Sequence, residues 1–123
     1  MTRVVGSIAP HGGQLVNRVL RGELCAAALE RAASFPRVPL THMAVSDLEM
    51  ISVGAFSPLT GFMTRADYDS VIDTMHLSNG LAWSIPVTLP VDDEIAAGLQ
   101  EGQEVALMDG DQVMGIMTIA EKF

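Results

Sequence analysis

Between residues 81 and 91, Leu81, Trp83, Ile85, Val87, Leu89 and Val91 alternate with small or polar residues without a miss. A period of two over that length puts one side-chain set on one face, which is the pattern of a strand buried on one side. Pro86 and Pro90 lack an amide hydrogen, so the strand belongs at an edge, a bend or a bulge. Further along, Glu104–Met108 and Gln112–Ala120 flank Asp109-Gly110-Asp111, a strong hairpin signal. In the second arm both alternating sets are largely apolar (Met114, Ile116, Ala120 against Val113, Met117, Ile119), as in a strand covered on both faces. The sequence stops at Phe123, directly after this strand. A strand of that kind needs a neighbour, so the expectation is that the natural protein continues.

Short helices fill the remainder. An Ala- and Leu-rich helix is expected from Glu23 to about Ala33, stopped by Pro36, and a short strand over Pro39–Val45. Ser46 with Glu49 reads as a capping box opening a helix that turns Leu48 and Ile51 inward and ends at Gly54. Thr64 with Asp67 precedes a helix over Ala66–His76, whose Tyr68, Val71, Ile72 and Met75 share a face. Ser78-Asn79-Gly80 is a turn, and one or two helical turns fit Asp92–Gly98. Met1–Gly13 is loop-like and ends in the turn-forming cluster Pro10-His11-Gly12-Gly13. Strands and helices in this mixture make an α+β fold, and with no linker or repeat residues 1–123 read as a single domain.

Hydrophobic residues at 49 % against 18 % charged exclude a disordered tail and leave enough apolar surface for a core. Charge is divided unevenly. Through residue 61 five arginines face four carboxylates; beyond it Arg65 and Lys122 face eleven. An acidic half of that kind repels phosphate backbones and anionic membranes, so no nucleic-acid partner is expected. Every apolar stretch is broken well short of the ~18 residues of a membrane span, and no membrane partner is expected either. A single cysteine, Cys25, and no secretory leader point to the cytoplasm.

Groups arranged for chemistry are scarce. A P-loop needs a lysine after its glycines, whereas the only lysine, Lys122, sits between Glu121 and Phe123. His11, His42 and His76 share no metal-ligand spacing and read as loop and helix-end residues. The Pro10–Gly13 cluster reads as a plain turn rather than an anion nest, and Cys25, among alanines, as buried filler rather than a nucleophile. Asp92-Asp93-Glu94 suits a helix start better than a cation site. Met108, Met114 and Met117 are expected as pliable packing in the core or under a neighbouring domain.

Several ordered segments carry a family resemblance. They are Pro10–Asn17; Asp47, Glu49 and Ile51; the run Gly54-Ala55-Phe56-Ser57-Pro58-Leu59-Thr60-Gly61-Phe62-Met63; Asp67-Tyr68; Trp83–Leu89; and Glu104–Asp109. Together they make the chain resemble the N-terminal domain of ATP sulfurylases (sulfate adenylyltransferases). The resemblance implies a PUA-like mixed β-barrel with short peripheral helices. It also implies a parent enzyme that makes adenosine 5'-phosphosulfate and pyrophosphate from ATP and sulfate, with Mg-ATP held elsewhere. The family's Gln-x-Arg-Asn-Pro run and His-x-x-His pair, whose cations neutralise the transition-state phosphates, have no counterpart here. No catalytic, cofactor or metal residue is therefore assigned.

The expected partner is the enzyme's own catalytic nucleotidyltransferase domain, with a homo-oligomer as a further expectation. Gly54, Phe56, Ser57, Pro58, Leu59, Gly61 and Phe62 are expected to form a structural clasp. In that reading Gly54 and Gly61 permit turns, Pro58 pushes Ser57 toward an extended conformation, and the three large side chains cluster. The functional reading is a non-catalytic domain of a sulfate adenylyltransferase. The alternative is a stand-alone interaction or assembly module derived from it, and a PUA-type RNA binder runs against the charge.

Overall fold

The computed structural model describes residues 8–123, so the opening part of the expected N-terminal loop lies outside the described residues. In chain order the elements are α1 (Gly22–Ala32), β1 (Arg37–Pro39), α2 (His42–Ser52), α3 (Arg65–Thr74), α4 (Asp93–Ala97), β2 (Glu104–Asp109) and β3 (Gln112–Thr118). The class is α+β. Its sheet is mixed, in the order β1-β2-β3, with β1 parallel and β3 antiparallel to β2. The expected hairpin is present, turning at Gly110 with φ 58°, and the ladder shifts register at Leu107/Met108.

The strand covered on both faces is β2 rather than β3. Val105, Ala106, Leu107 and Met108 are all 3 % exposed or less, because β2 lies between two neighbours and alternate residues feed opposite clusters. Val105 and Leu107 join Val38, Leu99 and Ile119, whereas Ala106 and Met108 join Ala32 beneath α1. β3 is an edge strand among the described residues, half-buried from Val113 to Met117.

The segment 81–91 keeps its alternation but forms no ladder. Val87 is fully buried and Leu81, Trp83, Leu89 and Val91 are half-buried, while Ile85 stays exposed. Its hydrogen bonds are scattered, with the Leu77 amide donating to Leu81, Trp83 to Met75 and Met63 to Val87. Pro86 and Pro90 remove two of the donors a continuous ladder needs, so an extended strap with one face inward takes the strand's place.

The expected strand over Pro39–Val45 does not form: β1 is Arg37–Pro39, and the Thr41 hydroxyl accepts from the Ala44 amide and opens α2 at His42, so that residues 42–45 are helical. The cap forms five residues ahead of Ser46, which stands inside the helix. Thr64 is the N-cap position of α3, but its side chain caps nothing. Asp67 instead accepts from the Ser78 amide and hydroxyl, pinning the 78–80 turn. On α3 Val71 is buried and Tyr68 half-buried, while Ile72 and Met75 are more than half exposed.

Candidate functional site

The signature run begins where α2 ends. Val53 closes the helix, and Gly54 follows at φ 86°. A β-carbon there would lie 2.5 Å from the Val16 carbonyl oxygen and 2.6 Å from the Leu15 side chain, so glycine is required by conformation and by contact alike. The close approach belongs to the N-terminal segment, which runs across the loop. The Val16 amide donates to Ser57 Oγ (2.9 Å), and Ser57 Oγ donates to the Gly54 carbonyl (2.7 Å). Ser57 is 3 % exposed and the one fully buried polar side chain among the described residues. Its hydroxyl is satisfied as donor and acceptor together.

Two more bonds hold the same segment, from the Arg18 amide to the Ser52 carbonyl (2.9 Å) and from Arg18 Nε to the Thr60 carbonyl (3.2 Å). The Pro10–Gly13 cluster is a turn, closed by the Gly13 amide on the Pro10 carbonyl, and Gly12 faces Pro58 at a distance that leaves little room for a β-carbon. The Ser57–Pro58 peptide is cis.

The large side chains of the run divide. Leu59 is buried with Ile51, Met63, Val71, Leu77 and Val87, against which Phe56 and Phe62 pack half-buried. Phe62 also touches the cluster around Val38 and Leu107, joining the two clusters. The Phe56 ring meets Trp83 edge-on at 5.7 Å, and His11 lies 6.1 Å from the same indole while its Nε2–H donates to the Ala82 carbonyl. Gly61 does not share the role of Gly54. Its backbone angle is ordinary and a β-carbon would meet nothing, so no feature of the structure requires glycine there.

All seven signature residues thus lie in one loop against the core, but the partners that fix them come from residues 11–18 and 81–83. No local pattern reveals those partners, since Phe56 and Trp83 lie 27 residues apart in the chain and Val16 and Ser57 lie 41 apart. The other candidates stay apart. His42 opens α2, and the His76 ring bonds the Thr74 carbonyl. Among the described residues no three His, Cys, Asp or Glu side chains converge on a point that would hold a metal ion. Cys25 is half-buried rather than buried, because α1 turns only Ala32 fully inward. Asp93 and Glu94 occupy the first turn of α4, where they meet the positive end of the helix. Burial raises the Asp47 carboxyl above its ordinary pKa, and no cation pairs with it among the described residues.

Two concavities flank the loop. A shallow one of about 570 Å³ is lined by Phe56, Trp83, Met75 and Ile85. Among the described residues the buried Trp83 Nε1 atom has no hydrogen-bond partner. A broad groove of about 1260 Å³ opens on the other side, bounded by Leu20 and Ala28, Phe62, Leu48, and Ile116 and Met117 of β3. In the groove the Ser78 hydroxyl is engaged by the Asp67 carboxylate as part of the 78–80 turn.

Residues 8–123 match the family model of the PUA-like domain. The chain is 53 % identical over its whole length to the sulfate adenylyltransferase of Synechococcus sp. (strain JA-3-3Ab), of which it spans 32 %. It is 54 % identical over 94 % of its length to that of Symbiobacterium thermophilum, of which it spans 30 %. Among solved structures, a hexameric APS kinase from Thiobacillus denitrificans superimposes with a TM-score of 0.80 at 39 % identity, covering 90 % of this chain and 22 % of that one. The chain therefore spans about a third of the length of the curated relatives it matches. With the family model covering all but its first seven residues, the chain belongs to the PUA-like domain family.

Proposed function

We propose that this chain works as the non-catalytic PUA-like domain of a sulfate adenylyltransferase. The observation that carries this reading is the pairing of about 50 % identity along the entire chain with coverage of only about a third of each relative. In that role residues 1–123 are one unit of a cytoplasmic enzyme joining sulfate to ATP, and Mg-ATP binds to the remaining two thirds. The run from Gly54 to Phe62 is a structural clasp that fastens residues 11–18 to the core. The Ser57 hydroxyl is satisfied internally as donor and acceptor, which supports that role over ligand contact. The APS kinase neighbour carries the same fold in a chain named for a different activity, as a domain supplying structure rather than chemistry would. Its hexameric state supports assembly into a homo-oligomer.

Two measurements test the proposal. Titration calorimetry of the isolated chain with Mg-ATP and sulfate is expected to give no heat of binding and no pyrophosphate. A chimera in which this chain replaces the matching third of the Synechococcus enzyme is expected to keep sulfate-dependent pyrophosphate release. Turnover by the isolated chain, or a folded but inactive chimera, would contradict the assignment.

A further inference from the structure

The sequence holds two asparagines, Asn17 and Asn79, and the fold treats their side chains alike. Asn17 Oδ1 accepts from the Val19 amide (3.0 Å) and Asn79 Oδ1 from the Leu81 amide (2.9 Å), so each side chain curls over the peptide bond that follows it. That curl turns the electrophilic Cγ toward the nitrogen of the next residue, with which it closes a five-membered ring. The bonded Leu81 amide stabilises the charge that gathers on Oδ1 as such a ring forms. What differs between the two sites is the next residue. Asn17 is followed by Arg18, whose amide is committed to the Ser52 carbonyl and whose side chain is anchored on Thr60. Asn79 is followed by Gly80, at φ 90°, with nothing within 4 Å of where a β-carbon would stand. Ser78, Asn79 and Gly80 are all exposed, so water reaches this turn from outside.

We propose that Asn79-Gly80 is a site of spontaneous deamidation whose rate is set by Asp67. The Gly80 nitrogen gives its proton to base from solvent and bonds to Asn79 Cγ, and the Cγ–Nδ2 bond breaks with release of ammonia. Water then adds to the succinimide. Cleavage between Cγ and the Gly80 nitrogen gives aspartate at 79. Cleavage between that nitrogen and the main-chain carbonyl carbon of residue 79 gives isoaspartate, with the chain rerouted through the side chain. One water is consumed and one ammonia released. Asp109-Gly110 shares the glycine, but a carboxylate is a far poorer electrophile than an amide, and Asp109 is held in the β2–β3 ladder. The Gly80 amide donates to the Leu77 carbonyl (2.8 Å), so its nitrogen attacks only when the turn opens. Asp67 Oδ1 holds the turn shut from α3, accepting from the Ser78 amide (2.9 Å) and hydroxyl (2.6 Å). Isoaspartate lengthens the main chain between Leu77 and Leu81, which are joined by a 2.8 Å bond from the Leu77 amide to the Leu81 carbonyl, beside the bridge of His76 to Ala82. The added length loosens the strap from the end of α3, where the Trp83 amide donates to the Met75 carbonyl.

The test stores the purified chain in warm, mildly alkaline buffer and follows its peptides by mass spectrometry, with an isoaspartyl methyltransferase to label the rerouted product. Asn79 is expected to convert at least about tenfold faster than Asn17, equivalent to ~1.4 kcal/mol in activation free energy, and the labelled product to appear. Asp67→Ala is expected to raise the Asn79 rate, whereas Asp67→Asn, which keeps an acceptor oxygen, stays near the parent chain. Ser78→Ala removes the hydroxyl bond alone and serves, with a smaller rise, if Asp67→Ala fails to fold. Trp83 fluorescence is expected to shift as the labelled product accumulates and to stay constant over the same period in Asn79→Gln, whose ring would be six-membered. An Asn79 that keeps its amide, or loses it no faster than Asn17, would overturn the site. An unchanged rate in a folded Asp67→Ala or Ser78→Ala variant would overturn the role of Asp67.

Discussion

Gly54 and Gly61 sit seven residues apart in one run and answer to different physics. At Gly54 the left-handed backbone and the 2.5 Å approach of the Val16 oxygen act together, so Gly54→Ala is expected to cost about 3 kcal/mol, at the upper end for strained backbone positions. Gly61→Ala, with an ordinary angle and open space, should change stability by less than ~0.5 kcal/mol. Chemical denaturation of the two variants checks the contrast, and equal losses would show that the loop is not organised as described. Ser57→Ala strands the Val16 amide and should cost ~1–3 kcal/mol. Asp47 adds a pH dependence. Its carboxyl titrates above its ordinary 3.8 in the fold because burial disfavours the charge, so the folded state binds the proton more tightly than the unfolded chain. The cost of ionising it is complete above the folded-state value and disappears as pH falls through that value toward 3.8. Asp47→Asn is therefore expected to raise the melting temperature at neutral pH, with an advantage that vanishes in acid. An advantage that grew in acid would have the sign wrong.

At the scale of elements, legibility followed how local the cause was. Helix α1, the hairpin at Gly110 and the short α4 emerged within a residue or two, because propensity, turn chemistry and Gly or Pro punctuation act over a few neighbours. The start of α2 was misplaced since Thr41 and Ser46 both make plausible caps, and the choice between them depends on β1 pairing with β2 some seventy residues away. The run 81–91 showed which side chains turn inward but not whether a strand lay alongside, which periodicity does not encode. The signature loop was visible as a resemblance, while its partners at Val16, Arg18 and Trp83 were not, being set by tertiary approach alone. One further device links elements through three consecutive residues. Glu121 accepts from the Arg65 amide at the start of α3, Lys122 donates to the Ala96 and Leu99 carbonyls at the end of α4, and the Phe123 ring lies 5.6 Å from that of Tyr68. A cation on the last carbonyls of a helix is favoured by its dipole. Lys122→Ala is expected to speed amide exchange through residues 96–99 while leaving β2 unchanged; uniform exchange rates would mean the lysine caps nothing.

Over the whole molecule, the core holds a cluster around Ile51 and Val71, another around Val38 and Leu107 and a smaller one beneath α1, and Phe62 touches the first two. Two clusters joined through a shared aromatic side chain unfold as one unit when the joint is strong and as two when it is weak. Phe56 supplies the comparison, since it packs against the first cluster and Trp83 but not the second. Truncating either ring should cost roughly 2 kcal/mol, less than the 3–5 kcal/mol of a fully buried phenylalanine because each is half-buried. The distribution of that loss is what distinguishes them. In Phe56→Ala, exchange should accelerate in α3 and spare β2, whereas in Phe62→Ala it should accelerate in both, and the thermal transition should broaden. The sole tryptophan, Trp83, gives a second reading, since it lies beside Phe56 and reports on the first cluster. In Phe62→Ala its fluorescence transition should separate from the far-ultraviolet circular dichroism transition. If the two transitions stay coincident while the protein is destabilised, Phe62 is an ordinary core residue, and the halves are joined instead through the N-terminal segment held by Ser57.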